Sequence, residues 1–177
     1  MVSAARSTGF SVVNVSQMSN ASKLLLTILM FIGGSPASTA GGVRIVAVAI
    51  LLSTMISTLR GRINTVIFWK KIPDSIVRKS ITVFMMFLII AITGIMMYSY
   101  CNKSAEIVDI ALECVSALTN TGFAAVNPAT ASLATDIIII MILMYIGRIG
   151  PIAMVTIFVN DEPVDKLVDY PTENVIL

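Results

Sequence analysis

No histidine occurs among the 177 residues. That absence removes imidazole acid–base catalysis and histidine-ligated metal centres from consideration. Charge is scarce too: Asp, Glu, Lys and Arg make up 12% of the chain, about half the ~25% usual in soluble domains. Cys101 and Cys114 are the only cysteines; two thiols make no disulfide framework and read as packing or interface residues. The first ten residues lack the apolar core of a secretory signal. No pair of mid-membrane carboxylates accompanies the missing histidines, so an intramembrane enzyme working by proton transfer is disfavoured.

What remains is apolar. Hydrophobic residues make up 56% of the chain and mean hydropathy is +0.92, so the expected solvent is lipid and the expected fold is an all-α integral membrane protein. Residues 23–59, 80–100 and 136–158 are each long enough to span, given that a crossing needs about 20 apolar residues. The stretch 107–118 is too short to cross and reads as a re-entrant or core helix. Arg60, Arg62, Lys70, Lys71, Arg78 and Lys79 share the loop between the first two spans, which predicts a cytoplasmic loop over 60–79. Three crossings then put the first residues outside and the acidic tail, 161–177, inside. Topology alone accounts for the basic loop; docking of a cytoplasmic partner is the other reading.

Residues 23–59 are too long for one straight helix. Unbroken, they would run roughly 54 Å against a hydrocarbon core of about 30 Å. The run Gly33-Gly34-Ser35-Pro36-Ala37-Ser38-Thr39-Ala40-Gly41-Gly42 supplies the interruption, because proline removes a backbone donor and glycine lowers helix propensity. It predicts helices over about 22–32 and 43–59. Irregular backbone at membrane depth is tolerated only where protein or a watery cavity surrounds it. The segment therefore points to a conduction path, with a flexible kink as the plainer alternative.

Two landmarks recur in order. Thr8-Gly9-Phe10 returns as Thr121-Gly122-Phe123, and Leu29-Met30-Phe31-Ile32-Gly33 returns as Leu143-Met144-Tyr145-Ile146-Gly147, at offsets of 113 and 114. Repeated units are a common way to build membrane transport proteins. In the second copy, an outward helix at 80–100, a short returning helix at 104–118, a turn at 120–124 and an inward helix at 136–158 give the order helix, pore helix, filter, helix. A cation shedding water needs backbone carbonyls in its place, and glycine permits the geometry that aims them at one axis.

These residues resemble the Trk/Ktr/HKT superfamily of potassium transporters, most closely the bacterial Ktr-type membrane subunit. The matching pieces are Ser3-Ala4-Ala5-Arg6-Ser7-Thr8-Gly9-Phe10, the loop Gly33 to Gly42 with Val43-Arg44, the segment 116–124, Gly147-Arg148-Ile149-Gly150-Pro151 and the tail Tyr170-Pro171-Thr172-Glu173-Asn174-Val175-Ile176-Leu177. The family has four units around one pore. The chain resembles the third from its filter onward (1–59) and the whole fourth (80–160), so the resemblance implies a missing N-terminal half and no pore helix for the third unit. It also implies that Ser7, Thr8, Gly9 and Phe10 with Asn120, Thr121, Gly122 and Phe123 are two filter segments. The loop 33–42 is then a gate below them, and Arg148 is a pore-facing arginine acting on that gate.

By the same resemblance K+ is the substrate, held by backbone carbonyls near Gly9 and Gly122, and Na+ is an activator or co-ion. The chain itself carries no cofactor. The partners implied are lipid, a second copy in a homodimer and a cytosolic nucleotide-binding regulatory ring. No nucleic-acid partner is expected.

Arg148 also has a reading of its own. It lies 12 residues into the last span, about 18 Å along a helix, where an arginine costs roughly 2.5–3.5 kcal/mol. Free carbonyls of the broken helix would accept its five donors; snorkelling to the inner interface is the alternative. Arg6 reads either as an outer-mouth residue or as a solvated charge. Glu113 reads as a satisfied buried polar group and Asp136 as an N-cap or first-turn acid. The whole is open to two interpretations: the second half of a potassium transporter pore, or a truncated or split segment inactive until it assembles with a complementary half.

Overall fold

The computed structural model describes residues 1–34, 41–61, 66–67, 70–102, 105–125 and 134–149. They fold as helices: α1 (Val2–Ala5), a 3₁₀ turn (Val15–Gln17), α2 (Asn20–Ile32), α3 (Ile45–Leu59), α4 (Asp74–Cys101), α5 (Ile107–Leu118) and α6 (Ala134–Ile149). The all-α expectation has one small exception. Within 60–79, β1 (Val66–Ile67) and β2 (Lys70–Lys71) pair antiparallel, Val66 opposite Lys71.

α4 has 28 residues and is long and apolar enough to cross a membrane. At 1.5 Å per residue it measures about 42 Å, more than the ~30 Å hydrocarbon core. The apolar run predicts its start near residue 80, but the helix continues back to Asp74. Ser75, Arg78 and Lys79 are compatible with a helix in water, and Pro73, the N-cap, bounds it by disfavouring helical backbone in the residue before it. α2 and α3, with 13 and 15 residues, are apolar but each too short to cross alone. α6 is described to Ile149, so the expected continuation to 158 lies outside the described residues, as does the tail.

α5 is the centre. It packs against α2, α4 and α6, and every residue from Cys114 to Thr119 is buried. A helix end with no exposed face belongs at the middle of a bundle. Two apolar clusters flank it. One joins Phe87, Ala91 and Tyr98 of α4 with Ile110, Leu118 and Leu143; the other joins Ala4, Leu26 and Met30 with Leu112, Val115 and Phe123. Large apolar side chains on the outside, among them Ile89, Met96, Met97, Ile137, Met141 and Tyr145, are exposed, as a lipid-facing surface requires.

Charged groups tie the bundle internally. Lys23 on α2 and Asp109 on α5 form an ion pair at 2.6 Å, with side chains 4% and 18% exposed. Asp136 is in the first turn of α6, as expected of a first-turn acid, but it is only 1% exposed. It accepts a hydrogen bond from Asn102 Nδ2 at 2.7 Å, linking the end of α4 to the start of α6. Glu113 is half-buried on α5, within electrostatic reach of Tyr98.

Candidate functional site: two matched turns over a broken helix

α5 ends in a specific backbone device. Asn120 is left-handed (φ 53°), its N–H bonds the Ala117 carbonyl at 3.1 Å, and the Thr121 N–H bonds the Ser116 carbonyl at 2.9 Å. This is the paired bonding of a Schellman cap. The same device ends α1: Ser7 is left-handed (φ 51°), its N–H bonds Ala4 at 3.2 Å, and the Thr8 N–H bonds Ser3 at 2.9 Å. Two residues later both turns reach a glycine with positive φ, 76° at Gly9 and 91° at Gly122. An L-residue pays strain in that region and glycine does not.

The equivalence runs further back than the tripeptide. Val2-Ser3-Ala4 stands 113 positions before Val115-Ser116-Ala117, so the repeated pattern is Val-Ser-Ala, three variable residues, then Thr-Gly-Phe. The signal was in the sequence, at the offset the tripeptide defines. α1 therefore bears the same relation to its turn as the last turn of α5 bears to its own. The resemblance implied no pore helix here; in the structure the four-residue helix α1 precedes the first turn.

The two turns meet. A Cβ on Gly9 would fall within the envelope of the Thr121 carbonyl oxygen, with Gly122 Cα 3.6 Å away. Residues 9–15 and 122–124 line one open recess of about 540 Å³. Hydroxyls hold the second turn from behind. Thr119 and Thr121 share a hydrogen bond at 2.7 Å, Thr119 also donates to the Val115 carbonyl at 2.8 Å, and Ser116 Oγ accepts from the Phe123 N–H at 2.7 Å. Asn120 Nδ2 reaches the Met144 carbonyl on α6 at 3.2 Å. The first turn is looser. Phe10 is 82% exposed where Phe123 is 8%, and the Ser3 and Ser7 hydroxyls are buried without a hydrogen-bond partner among the described residues. Arg6, in the first turn's helix cap, is exposed.

Of the expected gate loop, Gly33, Gly34, Gly41 and Gly42 are described; Ser35, Pro36, Ala37, Ser38, Thr39 and Ala40 lie outside the described residues. α2 stops at Ile32 with Gly33 at φ 72°, and α3 resumes only at Ile45. The loop's ends are stitched together by Val43 N–H to Phe31 O at 3.3 Å and Ile45 N–H to Gly34 O at 3.2 Å. Its returning end lies directly under the second turn: a Cβ on Gly41 would sit 2.5 Å from the Thr119 carbonyl oxygen. The described ends of the non-helical segment are thus packed against protein, a setting that membrane depth allows.

The second repeated landmark diverges. Gly33 ends its helix, but Gly147 lies inside α6 and the helix continues through Arg148 to Ile149. Gly34 and Pro36 follow the first glycine; a helix-favouring arginine follows the second. Gly147 is used for contact instead, its Cα pressed against the Leu118 carbonyl. Arg148 is exposed in the last turn of α6, one residue beyond that contact. Its expected partner, the middle of the loop, is outside the described residues.

Known proteins are similar to this chain in sequence. The model of the TrkH family, described as cation transport protein, matches residues 1–170. The Ktr system potassium uptake protein B of Bacillus subtilis is 33% identical over 157 residues, covering 89% of this chain and 35% of that protein. The potassium/sodium uptake protein NtpJ of Enterococcus hirae is 31% identical over 181 residues, covering 97% of this chain and 39% of its own. The Ktr system potassium uptake protein D of Bacillus subtilis is 29% identical over 174 residues, 98% of this chain and 38% of that protein. The chain spans about a third of the length of these relatives. With a family match over nearly its whole length, it belongs to the TrkH family of cation transport proteins.

Proposed function

We propose that this chain lines part of the permeation path of a potassium uptake transporter in the plasma membrane, contributing two of four filter segments. One observation carries the reading: two turns of matching backbone conformation, 113 residues apart in sequence, meet at one recess, and the second packs against the break in an interrupted helix. The carbonyls of Ser7, Thr8 and Gly9 and of Asn120, Thr121 and Gly122 replace water around K+, with Phe10 and Phe123 closing each turn. Gly33 to Gly42 is the gate beneath. Arg148 adds positive charge there and pins the loop. Na+ acts as activator or co-ion, a role suggested by the relative named for potassium and sodium.

The relatives' greater length supports a complementary N-terminal half; a second copy and a cytosolic nucleotide-binding ring complete the proposed assembly, on the family resemblance alone. The basic loop 60–79 supports an external N-terminus and a cytoplasmic tail. A second reading follows from the same coverage: the segment is inactive until it assembles with the rest of the pore.

The deciding experiment is Rb+ uptake in cells lacking potassium uptake systems. This chain within a complete transporter restores uptake, and Arg148→Gln raises or deregulates it. The chain alone restores none. Failure of the complete transporter to move K+ or Rb+ refutes the function; unchanged flux and regulation with Arg148→Gln refutes only the gate.

A further inference from the structure

We infer that the Ser116 side chain aims a filter carbonyl, and so helps set ion selectivity. The inference rests on the filter reading above. Ser116 grips the turn twice. Its backbone carbonyl takes the Thr121 N–H at 2.9 Å, and its hydroxyl takes the Phe123 N–H at 2.7 Å. In a trans peptide the N–H and the preceding C=O point in opposite directions, and no described peptide here is cis. Drawing the Thr121 N–H back to Ser116 therefore turns the Asn120 carbonyl away from α5, and drawing the Phe123 N–H back turns the Gly122 carbonyl away from it. Two alternate peptides are thus oriented by one residue.

The hydroxyl is the critical half. The backbone bond belongs to the helix cap and would form with any residue at 116. The second bond needs an acceptor on the side chain, because the chain has already left the helix. Gly122 offers no resistance of its own: it is exposed, and nothing lies within 4 Å of where its Cβ would be. Without the hydroxyl the 122–123 peptide is free to rotate, and its carbonyl no longer has a fixed direction. Ser116 itself is buried, 1% exposed, so it touches the ion only through the backbone it holds. It is a positioning residue.

The first turn supplies a contrast. Ser3 occupies the matching place and makes the matching backbone bond to Thr8, but its hydroxyl has no hydrogen-bond partner among the described residues. Phe10, whose N–H corresponds to that of Phe123, is exposed where Phe123 is packed. Burial of the phenylalanine goes with the presence of the serine bond.

The test uses a complete transporter containing this chain, with Ser116→Thr and Ser116→Val. The two side chains match in volume and differ by a hydroxyl. Threonine should keep the wild-type preference for Rb+ over Na+. Valine should lower it by about fivefold, the effect of losing a typical hydrogen bond. Gly122→Ala is run beside them. A change with Gly122→Ala but none with Ser116→Val overturns the role of Ser116 and leaves the filter standing; no change with either overturns the filter reading and this inference together. If the valine variant does not reach the membrane, amide exchange in the wild type decides. The Phe123 N–H should exchange more slowly than that of exposed Ala124, and equal rates would overturn the inference.

Discussion

The Thr121 carbonyl oxygen occupies the place where a side chain on Gly9 would begin. The two glycine turns are therefore not equivalent to mutation, although their backbones match. Gly9→Ala meets both a carbonyl collision and a left-handed φ of 76°; Gly122→Ala meets only its φ of 91°, in open space. In a complete transporter, Gly9→Ala should reduce Rb+ uptake at least tenfold with loss of assembled protein. Gly122→Ala should assemble and show altered ion preference. Uptake normalised to membrane-inserted protein separates the two.

Gly147 is held against the Leu118 carbonyl, and any Cβ there enters the carbonyl's envelope. Gly147→Ala must push α6 away from α5. Overpacking of this kind costs about 1–3 kcal/mol. The expected result is a lower melting temperature in detergent, measured by the loss of monodisperse protein on heating. A variant as stable as wild type would mean that the two helices are further apart than described.

Lys23 and Asp109 form an ion pair that is nearly closed to solvent. Breaking one side leaves a charge without its partner, at a cost of about 3–5 kcal/mol. Lys23→Met and Asp109→Leu should each destabilise strongly. The double variant should recover much of the loss, because apolar residues can replace a buried pair. A double-mutant cycle on melting temperature gives the coupling directly; additive losses would show that the pair does not hold α2 to α5.

The two thiols report on fold and orientation. Cys114 is 1% exposed within α5, whereas Cys101 is partly exposed at the end of α4. An impermeant maleimide added outside intact cells should label Cys101, and Cys114 only after denaturation. Labelling of Cys101 solely in inverted vesicles would reverse the proposed orientation.

Much of this was legible in the chain. The bounds of α5 coincide with the apolar run 107–118, because polar residues frame it on both sides. The end of α2 at Ile32 follows from Gly33-Gly34. Other features depend on tertiary contact. Lys23 reads as the edge of a span until Asp109 is placed beside it. Gly33 and Gly147 end the same five-residue landmark, yet one stops a helix and the other packs a helix against a carbonyl; only the following residues and the neighbour's backbone tell them apart. Ser116 lay within the resemblance but gave no sign of its hydroxyl's role, since its bond spans seven residues. The six-residue extension of α4 to Asp74 escaped an apolar criterion because the helix outlasts the lipid.

The contact of Gly147 with Leu118 and the bond from Asn120 to Met144 have a mechanical consequence. At two nearby points α6 is fastened to the end of α5, by backbone against backbone at Gly147 and through the short Asn120 side chain at Met144. A tilt of α6 therefore pulls on the turn at both points, and the Gly147 contact, having no side chain to flex, is the stiffer of the two.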